Sequence, residues 1–142
     1  MLLIMSIPSF LINKSHLSGL ALLDFIGIIV WLVGFFFEAV SDYQLFEFTK
    51  NPANKGKLMK YGLWHYSRHP NYFGEVVMWW GIFLIALNVP YGYLALISAG
   101  TITFLLLFVT GIPWVEQALA KNPEYPEYKR TTSIFIPWFP KK

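Results

Sequence analysis

Between Glu75 and Glu116 the chain runs for forty residues without a charged side chain. A helix needs about 20 apolar residues to cross a bilayer, so this stretch predicts two spans and a turn. Asn88-Val89-Pro90-Tyr91-Gly92 supplies the turn, because Pro and Gly punctuate helices and Asn favours turns. The hairpin helices are then predicted over 70–88 and 93–112. An earlier apolar run from Leu17 to Phe37, interrupted only by Asp24, predicts a further span. Residues 1–12 are apolar with no basic segment ahead of them, which argues against a cleaved signal peptide and for a short membrane-embedded or truncated helix. The expectation is one all-α membrane domain over 1–142, polytopic, with three to four transmembrane helices.

Charge supports this and sets the orientation. Only 13% of residues are charged, against about 25% in soluble domains. The net charge of +3 is too small to argue for nucleic acid, and no nucleic-acid-reading motif is present. The absence of cysteine excludes disulfides, thiolate metal sites and a cysteine nucleophile. Lys50, Lys55, Lys57, Lys60 and Arg68 lie between Ser41 and Pro70, and Lys121, Lys129, Arg130, Lys141 and Lys142 lie in the tail. The 88–92 turn has no basic residue, so both basic segments are expected on the cytoplasmic side. Trp138 and Phe139 are placed to sit at headgroup level.

The densest polar cluster runs from Trp64 to Glu75. Pro70 suits the first position of a helix, where its missing N–H costs nothing. Arg68 and His69 then stand just outside a helix N-terminus, which attracts anions, and Arg adds a planar fork matched to phosphate or carboxylate. Asn71 and Glu75 share one face, with Tyr72 beside Glu75. The pattern predicts a cytosol-facing pocket. The alternative is that Arg68, His65 and His69 only cap a membrane helix and touch lipid phosphates. Glu75 favours the pocket, since a carboxylate at membrane depth is costly.

Two further clusters join it. Glu38 and Asp42, four apart on the extension of the first strong span, repel mildly and call for a partner such as Arg68 or a basic group on a ligand; the alternative is a helix emerging into water. Glu116 follows Pro113, expected to kink its helix, and with Tyr125, Tyr128, Lys129 and Arg130 it is placed to close over a polar ligand. For Lys129 and Arg130 the alternative is positive-inside anchoring. His65 and His69 are four apart, but Pro70 disfavours a helix through both, so no metal site is expected. His16 is read as a loop residue. No Gly-rich phosphate loop follows a strand, and no serine sits in a nucleophile elbow.

The runs Phe35–Gln44, Asn51–Gly56, Gly62–Glu75, Tyr128–Ser133 and Ile136–Trp138 resemble the steroid 5-alpha-reductase C-terminal-like domain family of bacterial membrane proteins. The likeness covers roughly 20–140, matching the C-terminal part of that family. The Arg68-His69-Pro70-Asn71-Tyr72 core is similar to that of sterol reductases of the lamin B receptor type and, more loosely, of isoprenylcysteine carboxyl methyltransferases. The resemblance implies a bacterial inner-membrane reductase that uses NADPH to reduce an enone double bond in a steroid- or lipid-like substrate. The alternatives it leaves are an S-adenosylmethionine-dependent methyltransferase and a truncated non-catalytic membrane module.

Carried over by position, the cofactor-binding residues are Asp42, Arg68, His69, Asn71, Tyr72, Glu75, Glu116, Tyr128 and Arg130; Glu38, on the face of Asp42, is counted with them from its spacing. Glu75 stands near the reacting end, and Tyr72 or Tyr128 is the proton donor. His65 stands where the family usually has Arg, which implies a pH-dependent contact. Family members usually carry further N-terminal spans, whose Glu and Tyr grip the steroid carbonyl; nothing in this chain is assigned to that role.

Overall fold

Asp24 does not interrupt the first span; it opens it. In the computed structural model, which describes residues 2–15 and 19–141, the longest helix, α3, runs Leu22–Lys50. The Asp24 carboxylate accepts from the Ala21 amide at 2.7 Å, so it satisfies a helix-start N–H that would otherwise be orphaned. His16, expected in a loop, and Leu17, expected to begin the span, lie outside the described residues.

The other helices are α1 (Leu2–Met5), α2 (Ile7–Lys14), α4 (Pro70–Ala86), α5 (Ala95–Phe104), α6 (Ile112–Leu119) and α7 (Tyr125–Thr131). No strand occurs among the described residues, only a parallel bridge between Ser67 and Ser133. Among the described residues two stretches are long and apolar enough to cross a membrane, Leu22–Lys50 and Gly92–Leu119. Their outward residues, Phe25, Ile29, Leu32, Phe104 and Phe108 among them, are exposed, as lipid-facing side chains are. The fold is all-α and polytopic.

Two expected spans come out shorter. The 17 residues of α4 rise about 26 Å, less than the roughly 30 Å hydrocarbon core. The N-terminal segment is broken at Ser6 into α1 and α2, of four and eight residues. It lies against the bundle, where Ser98 Oγ donates to the Ile4 carbonyl at 2.5 Å and Met5 packs on Val76, Ile102 and Leu106.

α3 packs most extensively on α4, and glycine permits the approach. A Cβ on Gly34 would lie 2.6 Å from both the Gly74 carbonyl oxygen and the Met78 amide nitrogen. Gly27, seven residues before Gly34, and Gly81, seven after Gly74, repeat the arrangement. Small residues that let backbones touch are a known basis of helix association in lipid. The pairing sets Glu38 and Asp42 of α3 beside the first turns of α4.

The second crossing stretch is not one regular helix. After α5 the backbone widens to a π turn over Leu105–Val109, where the Thr110 amide reaches the Leu105 carbonyl at 2.8 Å. Pro113, in the first turn of α6, cannot donate and crowds the preceding turn, so the break falls at Thr110–Gly111. That bend delivers Glu116 to the start of α4.

Candidate functional site

Pro70 begins α4 with His69 as its N-cap residue, as its fixed φ and absent N–H favour. Arg68, one residue earlier, is not free to meet an anion. Its Nε and one terminal nitrogen donate to the two Glu116 carboxylate oxygens at 2.9 and 2.8 Å. The other terminal nitrogen donates to the Thr132 and Lys129 carbonyls at 2.7 and 3.1 Å. The residue is only 4% exposed, and every arm of the fork is spent within the chain. The expectation that Arg68 compensates Glu38 and Asp42 is thus corrected: a fork matched bidentately to a carboxylate takes the partner that satisfies both nitrogens.

Glu116 is the centre of this hub. It also takes His69 Nε2 at 3.0 Å and the Tyr125 hydroxyl. His69, 1% exposed, stacks on the Tyr72 ring with centroids 5.5 Å apart. Tyr128 is buried with its hydroxyl donating to the Trp64 carbonyl at 2.6 Å, and the Trp64 indole donates to the Ser41 carbonyl at 3.0 Å. Trp64 and Ser41 therefore tie α7 to α3, a role their sequence context did not signal. Ser67, also unforeseen, bonds the Phe135 carbonyl at 2.7 Å and the His69 amide at 3.1 Å.

Burial pushes the Tyr125 phenol up to about 12, aided by its bond to the Glu116 carboxylate. Burial likewise holds Tyr128 well above the usual phenol range. Both phenols are therefore neutral donors at physiological pH. A raised folded-state value contributes stability that is intact below the ordinary phenol value near 10 and lost as pH climbs to about 12. Alkaline unfolding of wild type should thus contain a component in that window that Tyr125→Phe lacks. Circular dichroism against pH, run on both proteins, checks this; superimposable curves would refute it.

A second polar group lies on the facing sides of α3 and α4. Asn71 Nδ2 donates to Asp42 Oδ1 at 3.1 Å, and Glu38 lies in the field of both Asp42 and Glu75. Three buried side-chain atoms have no hydrogen-bond partner among the described residues: Glu38 Oε2, Asn71 Oδ1 and Asn88 Nδ2. Two of the three belong to this group, and both are oxygens. Buried polar atoms are normally paired, so these two oxygens are acceptors left without a donor. The Tyr72 hydroxyl also bonds nothing among the described residues.

The sequence-derived set therefore divides in two. Glu38, Asp42, Asn71, Tyr72 and Glu75 gather between α3 and α4, while Arg68, His69 and Glu116 form the buried hub, joined to the first group through the His69–Tyr72 stack. Tyr128 lies behind the hub. Arg130 is 60% exposed and paired to Glu127, at the rim of a surface cleft. His65 is exposed and lines a separate hollow with Lys60 and Glu124. No cluster able to hold a metal occurs among the described residues.

The family described as "Protein of unknown function (DUF1295)" matches residues 1–132. The chain belongs to that family. This DUF1295 chain is also similar to 3-oxo-5-alpha-steroid 4-dehydrogenase 1 of Bos taurus, 30% identical over 112 residues, covering 79% of the chain and 40% of that protein. The Homo sapiens protein of the same name is 32% identical over 114 residues, 80% of the chain and 40% of that protein. "Probable O-methyltransferase ustE" of Ustilaginoidea virens is 38% identical over 66 residues, 46% of the chain and 23% of that protein. The DUF1295 chain spans about two fifths of the length of the steroid dehydrogenases it matches. No solved structure matches it. The steroid 5-alpha-reductase likeness read from the motifs is shown by these relatives.

Proposed function

We propose that the chain forms the cofactor-holding part of a membrane reductase that uses NADPH to reduce a carbon–carbon double bond in a lipid-like substrate. The observation that carries the reading is the acceptor group of Glu38 Oε2 and Asn71 Oδ1 beside Asp42. A nicotinamide carboxamide and ribose hydroxyls are donors, so the residues present fit that end of the cofactor. The names of the steroid dehydrogenase relatives supply the reaction class.

When bound, the nicotinamide supplies the hydride chemistry; the chain positions and protonates. Asn71, Asp42 and Glu38 bind, with Glu75 one turn deeper. Arg68 and His69 act through Glu116, holding the start of α4 and the Tyr72 ring in place. Of the two phenols suggested as proton donor, Tyr128 has its hydrogen committed to Trp64. Tyr72 is left as the donor. The basic segment from Lys50, at the end of α3, to Arg68 and the tail are assigned to the cytosolic face of a bacterial inner membrane, where a soluble cofactor arrives.

A second reading keeps the pocket and changes the cofactor. Three carboxyl groups, Glu38, Asp42 and Glu75, suit a cation, and S-adenosylmethionine is a sulfonium; the methyltransferase match points the same way. Titrating the detergent-purified protein separately with NADPH and with S-adenosylmethionine separates the readings. Saturable NADPH binding is expected, weakened about tenfold in Asn71→Ala and in Glu75→Ala with helicity retained. Saturation by S-adenosylmethionine alone assigns the methyltransferase, and binding of neither identifies a non-catalytic module.

A further inference from the structure

The C-terminal strap, residues 132–141, carries a feature that the reductase reading does not use. Trp138 and Phe139 form a wall between two hollows. On one side is a cleft of about 440 Å³ lined by Lys129, Arg130, Thr131, Ser133 and Lys141. On the other is an apolar groove of about 260 Å³ lined by Phe37, Leu63, Tyr66 and Pro137. Both aromatics line both spaces, yet they are 68% and 77% exposed.

The wall is built, not loose. The Trp138 amide donates to the Tyr66 carbonyl at 3.0 Å, and the Lys141 amide to the Thr131 carbonyl at 2.9 Å. Phe139 meets the Tyr66 ring edge-on with centroids 6.1 Å apart. Charge in the cleft is unbalanced. Arg130 is neutralised by Glu127 and Arg68 by Glu116, but Lys129 and Lys141 have no salt bridge among the described residues. The Trp138 indole N–H is likewise without a partner among them.

We propose that this strap binds one anionic phospholipid, with its phosphate in the basic cleft and an acyl chain in the apolar groove, straddling Trp138 and Phe139. The cleft alone would accept any phosphate ester. The groove on the other side of the same wall selects an amphiphile, because a soluble phosphate ester would leave its apolar lining unfilled. Two unneutralised lysines select a net negative headgroup over a zwitterionic one. Neither hollow is lined by Asn71, Asp42 or Glu38, so failure of the reductase reading leaves this site untouched.

Native mass spectrometry of the full chain, released from detergent after mixing with phosphatidylglycerol and phosphatidylcholine of matched chains, tests this. Phosphatidylglycerol should be retained about tenfold more than phosphatidylcholine, since each basic residue near a lipid surface contributes measurably to anion preference. Lys129→Gln with Lys141→Gln should bring the two lipids near parity, and Lys141→Gln alone, on the exposed strap, should give part of that loss. Trp138→Ala with Phe139→Ala should weaken both lipids, with helicity unchanged. Equal retention of the two lipids by wild type overturns the proposal. So does displacement of phosphatidylglycerol by NADPH or by inorganic phosphate, which would assign the cleft to a soluble phosphate ester.

Discussion

Replacing Glu116 with alanine is expected to destabilise the protein by about 3–5 kcal/mol, the range seen when one partner of a buried ion pair is removed. The side chains of Arg68 and Glu116 are 4% and 14% exposed, so the guanidinium left behind is a largely buried charge without its counter-ion. Its remaining bonds, to the Lys129 and Thr132 carbonyls, do not neutralise it. His69 and Tyr125 lose the same acceptor. Arg68→Met should be similarly costly, and the double variant Arg68→Met with Glu116→Ala should cost clearly less than the sum, because no charge is then buried alone. By contrast, Arg130→Ala removes an exposed pair and should change stability by less than about 1 kcal/mol. Thermal unfolding in one detergent, followed by circular dichroism, measures all four. Additive losses in the double variant would mean that the hub is not a coupled unit.

Gly74→Leu is expected to cost about 3 kcal/mol or more, at the upper end of overpacking effects. A Cβ at Gly74 would stand 2.5 Å from the Glu38 amide nitrogen and 2.5 Å from the Gly34 carbonyl oxygen. Both are backbone atoms inside a helix and cannot swing aside, so α3 and α4 must separate. Separation also pulls Asp42 from Asn71, and the NADPH binding proposed above should fall together with stability. Gly100→Leu serves as the control, because nothing lies within 4 Å of a Cβ there. Equal stability of the Gly74 and Gly100 variants would show that the helices do not touch as described.

Much of this was legible in advance. A forty-residue run without charge cannot face water as a loop, and Pro70 has one comfortable helical position, so the start of α4 followed. The acidic pair Glu38 and Asp42 had to share a face. Small residues also recur seven positions apart, at Gly27 and Gly34 and again at Gly74 and Gly81. That period marks the α3–α4 seam, and it was open to reading.

Span lengths were less secure, because hydropathy alone does not say where a helix is capped. By hydropathy Asp24 is an interruption, whereas in the fold it accepts the Ala21 amide at the start of α3.

The partner of Arg68 was beyond any local pattern. Two acidic sites were available, Glu38 with Asp42 on one helix and Glu116 on another, and a guanidinium matches either chemically. The bend at Thr110–Gly111 brings Glu116 within reach from 48 residues away, and the carbonyls of Lys129 and Thr132 complete the coordination. Carbonyls have no side-chain signature, and the rotation of one helix against another depends on every contact along the seam. Helix identity, polarity and face were therefore properties of the chain read locally. Which charge is spent inside and which acceptors stay open was settled only when the helices packed.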